Sequence, residues 1–108
     1  MATFDLMTPD EICVALGQRC RRARLQANLS QLELAQRAAA SLSSIRRLEA
    51  RGQCTLELLV RVVQALHLAR HLEDLLVIPV LSIADAEREA AANGRKRAAS
   101  PRRLKKPR

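Results

Sequence analysis

The chain has 108 residues, 48% of them apolar, a single aromatic residue (Phe4) and a net charge of +8. That is room for one small domain and an appendage, and a core built on Ala and Leu rather than aromatic rings favours helix. With only three glycines and no nucleophile–base constellation an enzyme is not expected, and general RNA binding would need aromatic side chains to stack on bases.

In chain order, Thr8-Pro9-Asp10-Glu11 reads as a helix start. Thr8 is the N-cap, Pro9 takes the first helical position and Glu11 closes a capping box. Ile12, Leu16, Cys20, Ala23 and Ala27 recur at steps of three and four, an amphipathic stripe, and Asn28 supplies a left-handed stop, so the first helix runs over about 9–27. Ser30-Gln31-Leu32-Glu33 is a second capping box, opening a helix over 31–37 with Leu34 and Ala35 inward. Residues 38–40 turn the chain. Ser41 caps a third helix over 42–50, with Ile45 and Leu48 inward and Gly52 ending it. Thr55 caps a fourth, whose expected core stripe is Leu56, Leu59, Val63 and Leu66; Leu72, Leu75 and Leu76 mark a short fifth. Pro79 interrupts the apolar run 77–83. Ser82 and Asp85 mark a sixth helix to about Ala92, stopped by Asn93-Gly94, and a basic tail with Pro101 and Pro107 is expected to be disordered when free. The expected organisation is a compact domain at 8–76, an apolar segment and short helix at 77–92, and the tail at 93–108.

Charge is distributed unevenly over these elements. Residues 93–108 hold eight basic residues and no acid, so residues 1–92 sum to zero. Inside that neutral body, residues 19–51 carry eight arginines against Glu33 and Glu49, a local +6. One strongly positive segment implies a face for an anionic partner. Cys13, Cys20 and Cys54 are odd in number and show no CxxC spacing, which argues against a disulfide framework or a zinc site and fits a reducing compartment. His67 and His71 are four apart with no third ligand evident, so neither metal nor cofactor is expected. The N-terminus reads as no signal peptide, and no apolar run approaches the ~20 residues that span a membrane; a cytoplasmic protein is expected.

The densest pattern lies at 31–50. Ala35 is small where two short helices would touch, Ala39 sits in the turn, and Ile45 and Leu48 pin the second helix onto the first. Their steps of +4, +10 and +13 from Ala35 are those of a DNA-binding helix-turn-helix. On these residues, with Arg24, Ser30-Gln31, Glu33-Leu34, Ser41, Glu49, Thr55-Leu56 and Ala65-Leu66, the stretch from Leu16 to Leu76 resembles the lambda-repressor-like (Cro/cI, or XRE) family. The resemblance implies an all-α fold of five helices, here followed by a short C-terminal helix and the basic tail. The family usually has Gly in the turn where this chain has Ala39; a left-handed Ala costs about 1–2 kcal/mol.

The resemblance further implies that Gln31 touches a phosphate, that Ser41, Leu42, Ser43, Arg46 and Arg47 face the major groove, and that Arg24 and Glu49 pair between the first and third helices. The chemistry of the residues agrees. Arg46 and Arg47 can each grip guanine O6 and N7, or a phosphate, with two hydrogen bonds. Ser41 and Ser43 fit a helix start whose N–H groups attract phosphate, and Leu42 suits a thymine methyl. Arg19 and Arg22 share a face of the first helix, where Arg22 is the further candidate for a backbone contact. The expected function is a sequence-specific repressor binding double-stranded DNA as a homodimer, with the apolar run 75–83 as dimer candidate and the tail as a DNA arm. The alternative is an antitoxin that represses its own operon, because the segment from Cys54-Thr55-Leu56 to Leu68 resembles part of antitoxins that partner kinase-like toxins; residues 77–108 would then bind the toxin.

Overall fold

A computed structural model describes residues 3–80 and 82–99. Among them the chain is all-helical, with a 3-10 turn at Phe4–Leu6 followed by α1 (Pro9–Gln26), α2 (Gln31–Arg37), α3 (Leu42–Arg51), α4 (Leu56–Ala65), α5 (Arg70–Glu73) and α6 (Ile83–Ala99). Two units separate at Leu75/Leu76: the first holds α1 to α5, the second holds α6.

Each of the first four helices begins on a short polar side chain. Thr8 Oγ1 accepts from the Glu11 amide at 3.2 Å while the Glu11 carboxylate accepts from the Thr8 amide at 2.8 Å. Ser30 and Glu33 repeat the exchange at 3.0 and 2.8 Å. The donation from the Ser30 amide and hydroxyl holds the Glu33 carboxyl below its ordinary value. Ser41 Oγ accepts from Ser44 N at 3.1 Å and Thr55 Oγ1 from Leu58 N at 3.1 Å. These bonds satisfy amides that the helix itself leaves without partners.

The C-termini share a second device. Asn28, Ala39 and His67 all sit in the left-handed region, at φ 59°, 54° and 60°. The amide after each closes a six-to-one bond onto the departing helix: Leu29 N to Arg24 O at 3.1 Å, Ala40 N to Ala35 O at 2.8 Å, and Leu68 N to Val63 O at 2.9 Å. Only α3 ends on a left-handed glycine, Gly52, at φ 67°. At Ala39 the Cβ therefore strains the turn between α2 and α3. Replacing it relieves about 1–2 kcal/mol, offset by roughly 0.4–1 kcal/mol of added unfolded-state entropy. Ala39→Gly is expected to stabilise the domain, raising the melting temperature by a few degrees on the scale of ~4–8 °C per kcal/mol. A thermal melt followed by circular dichroism checks this, and a fall would contradict it.

The core of the first unit is Leu34, Ile45, Leu48 and Val62, all fully buried, with Cys20, Leu29, Ala35, Ala38, Leu58 and Leu66 around them. Burial pushes the Cys20 thiol up to about 11, with Cys54 and then Glu49 adding to the effect. It is held as the thiol and packs as a small apolar group. Two expected stripes are corrected. On α4, Leu56 is 75% exposed, and Leu58 and Val62 turn inward instead, with Leu59 and Val63 half-buried. Six of the first eight residues of α4 are apolar, so periodicity alone does not choose a face. On α1, Ala27 is the exposed C-cap rather than a core position.

One further packing feature orients α3. α1 and α3 touch backbone to backbone at Gly17 and Gly52, where a Cβ on Gly17 would lie 2.2 Å from Leu48 O, and one on Gly52 2.0 Å from Cys13 O.

In the second unit, Ser82 Oγ accepts from Asp85 N at 3.2 Å and so caps α6. The helix then runs through Asn93 and Gly94 to Ala99 instead of stopping at Ala92. Gly94 costs about 1 kcal/mol relative to Ala, and the flanking Ala90, Ala91 and Ala92 are strong helix formers. Residues 93–99 of the expected disordered tail are thus helical, and residues 100–108 lie outside the described ones. No helix of the described residues is long and apolar enough to cross a membrane.

Candidate nucleic-acid interface

The residues singled out at α2 and α3 divide into a buried set that places the helix and an exposed set that it presents. The buried set centres on an ion pair. Arg24 Nε donates to Glu49 Oε2 at 2.7 Å and Arg24 Nη2 to Glu49 Oε1 at 2.9 Å, a two-pronged contact between α1 and α3. Arg24 is 7% and Glu49 4% exposed. Arg24 Nη1 also donates to Leu29 O at 2.9 Å, in the turn into α2. Gln31 Nε2, at the start of α2, donates to Glu49 Oε1 at 3.0 Å. Four residues thereby tie three helices together, and hydrogen bonding to Glu49 holds the Arg24 guanidinium even more firmly protonated. Ala35, Ile45 and Leu48 lie in the apolar layer beside this network at 1%, 0% and 2% exposure.

The exposed set follows from helical spacing. With Ile45, Leu48 and Glu49 buried, Ser43, Arg46, Arg47, Ala50 and Arg51 face outward. Arg46, Arg47, Ala50 and Arg51 line one open cavity of about 320 Å³. Among the described residues no carboxylate pairs with these three arginines, and the one acid on α3, Glu49, is already bound to Arg24. Arg51 is a basic residue that the sequence reading passed over; its position four residues after Arg47, one turn on along the same face, is the signal that marks it.

The remaining candidates are placed less uniformly. Leu42 is half-buried and Ser43 exposed at the α3 start. The Ser41 hydroxyl is committed to its cap and lies 2.7 Å from Ser44 Oγ and 3.2 Å from Ser43 Oγ. Gln31 is half-buried, with its amide nitrogen already engaged by Glu49. Arg22 is exposed on α1, but at five residues past Gly17 it lies about 140° around the helix from the α3-facing side. Arg19 is taken up by Phe4, its guanidinium carbon 4.9 Å from the ring centroid, a cation–π contact.

Comparison of the chain with protein-family models and with curated protein sequences found no match. The site therefore rests on its own geometry. Around α3 that geometry is a short, rigidly seated helix whose outer face is cationic and free of acids. A ten-residue helix is ~15 Å long, and the B-DNA major groove, ~12 Å wide, admits one.

Proposed function

We propose that the chain is a double-stranded DNA-binding regulator of the lambda-repressor-like helix-turn-helix type, reading sequence with α3 in the major groove and acting as a repressor. The observation that carries this reading is the exposed face of α3, where Arg46, Arg47 and Arg51 have no carboxylate partner among the described residues while the helix is clamped from behind by Arg24 and Glu49. Clamping matters because base readout needs donors held in register with base edges, and a long arginine on a loose helix loses that register. Ser43, Arg46 and Arg47 are the residues for base edges. Gln31 acts chiefly as an α2–α3 strut in the free protein, and Arg22 contributes little.

Arg46→Ala and Arg47→Ala, titrated against a preferred duplex at fixed salt, are each expected to weaken binding by about 1–3 kcal/mol if the arginine grips a guanine, with unchanged circular dichroism. Two variants that bind as tightly as the parent would contradict the placement of α3.

The second unit favours a protein partner in addition. Leu76, Val77, Ile78, Val80 and Ile83 are all more than half exposed. A second copy is the reading we prefer, since dimers span half-sites about one turn, ~34 Å, apart. The antitoxin alternative assigns the same residues to a toxin, and co-purification with a neighbouring gene product separates the two.

A further inference from the structure

The helix α6, Ile83–Ala99, lies in the second unit, outside the five helices to which the DNA reading applies. Every residue from Ala86 to Arg95 is exposed. Its charge changes sign along its length: residues 83–92 hold three acids and one base, and residues 93–99 hold three bases and no acid. Glu87 and Arg95 stand four residues either side of Ala91, so the three share one face. The two charges are two turns apart, about 12 Å along the axis, too far to meet within one helix. Neither has an ion-pair partner among the described residues, whereas Arg88 is taken by Asp85. A helix dipole favours acids in the first turn and bases in the last, but Glu87 and Arg95 both lie inside those turns.

A glycine beside this face is the second observation. Gly94 sits about 60° around the helix from Ala91. A Cβ there would meet nothing within 4 Å. No contact among the described residues therefore calls for a glycine in this helix interior, where it costs about 1 kcal/mol. What the missing Cβ does provide is room for the close approach of another backbone.

We infer that α6 pairs antiparallel with α6 of a second copy, about a two-fold axis at Ala91 that sets Glu87 of each copy against Arg95 of the other. The inference rests on the homodimer reading above and gives that dimer an interface and an orientation. A two-fold interface must be complementary to itself. The antiparallel pair meets that condition, because each acid faces a base. A parallel pair would set Glu87 against Glu87 and Arg95 against Arg95. Ala91 on the axis and Gly94 beside it keep the crossing free of bulk.

The test is sedimentation equilibrium of the full chain at low ionic strength, for the parent, Glu87→Arg, Arg95→Glu and the two changes together. Each single change turns two attractive contacts into two repulsive ones and is expected to raise the dimer dissociation constant about tenfold. The double change is expected to restore the parental value, which neither a parallel pair nor a helix-dipole effect would do. A parent dimer that the single changes do not weaken, or a double variant as weak as the single ones, overturns the pairing and leaves the homodimer reading standing on another interface. A parent that stays monomeric at every concentration overturns both. Oxidative cross-linking decides the matter if a charge change unfolds α6. Ala91→Cys, on the axis, is expected to give a disulfide-linked dimer that neither the parent nor Ala84→Cys gives, since a bridge needs the two Cα atoms within about 7 Å. No linked dimer from Ala91→Cys, or equal linkage from both positions, overturns the pairing.

Discussion

Glu49→Ala is expected to cost the domain about 3–5 kcal/mol, because it leaves the Arg24 guanidinium buried without its counter-charge. Arg24 is 7% exposed and makes two of its three hydrogen bonds to Glu49. Its remaining bond, to Leu29 O, does not neutralise it. Small domains hold roughly 0.05–0.15 kcal/mol per residue, so the loss approaches the whole stability of a unit ending at Leu75. Urea unfolding followed by circular dichroism should show a variant partly or wholly unfolded at 25 °C without denaturant. The paired change Arg24→Leu with Glu49→Leu is expected to be far milder, since removing both charges also removes the desolvation penalty. A Glu49→Ala protein of parental stability would mean that the pair is not buried in solution, and α3 would lose the clamp on which the functional reading rests.

Gly17→Ala is the second large effect, and helix propensity predicts the opposite sign. In the middle of α1, alanine should add about 1 kcal/mol of stability. Against that, the new Cβ would lie 2.2 Å from Leu48 O and 3.2 Å from Gly52 Cα. Those are backbone atoms of α3 and its C-cap, and they cannot rotate away. The two helices must separate by roughly 1 Å, which opens the layer holding Cys20, Ile45 and Leu48. Overpacking of this kind costs typically about 1–3 kcal/mol and occasionally more, and here a rigid carbonyl puts it at the upper end. A net loss of about 2 kcal/mol lowers the melting temperature by roughly 8–16 °C. A higher melting temperature would show that α1 and α3 do not approach this closely.

These two residues mark how far the sequence could be read. The Arg24–Glu49 pair was expected through the family resemblance alone, on a pattern that Glu49 shares with Ala35, Ile45 and Leu48. The helix starts were legible for a simpler reason: Thr8, Ser30, Ser41 and Thr55 act on amides three residues away, so the whole interaction lies within one window. The left-handed ends at Asn28 and Ala39 are local in the same sense. Gly17 was not legible, because its partner is the Gly52 backbone at the far end of α3 and nothing near position 17 announces it. The rotation of α4 escaped for another reason, since Leu56, Leu58, Leu59, Val60, Val62 and Val63 offer several faces and only packing against α2 chooses one. In α6, the turn signal at Asn93-Gly94 was outweighed by the alanines around it.

The property of this protein that matters most is whether α3 reads DNA. The most direct measurement is selection of bound duplexes from a random pool at stated salt, carried out with the parent and with the paired change Arg46→Ala and Arg47→Ala. The expected result is an enriched motif containing guanines, repeated as two half-sites about one helical turn apart, which the paired change loses or alters at the guanine positions. A parent pool no more enriched than the starting library, or an identical motif from both proteins, would contradict it.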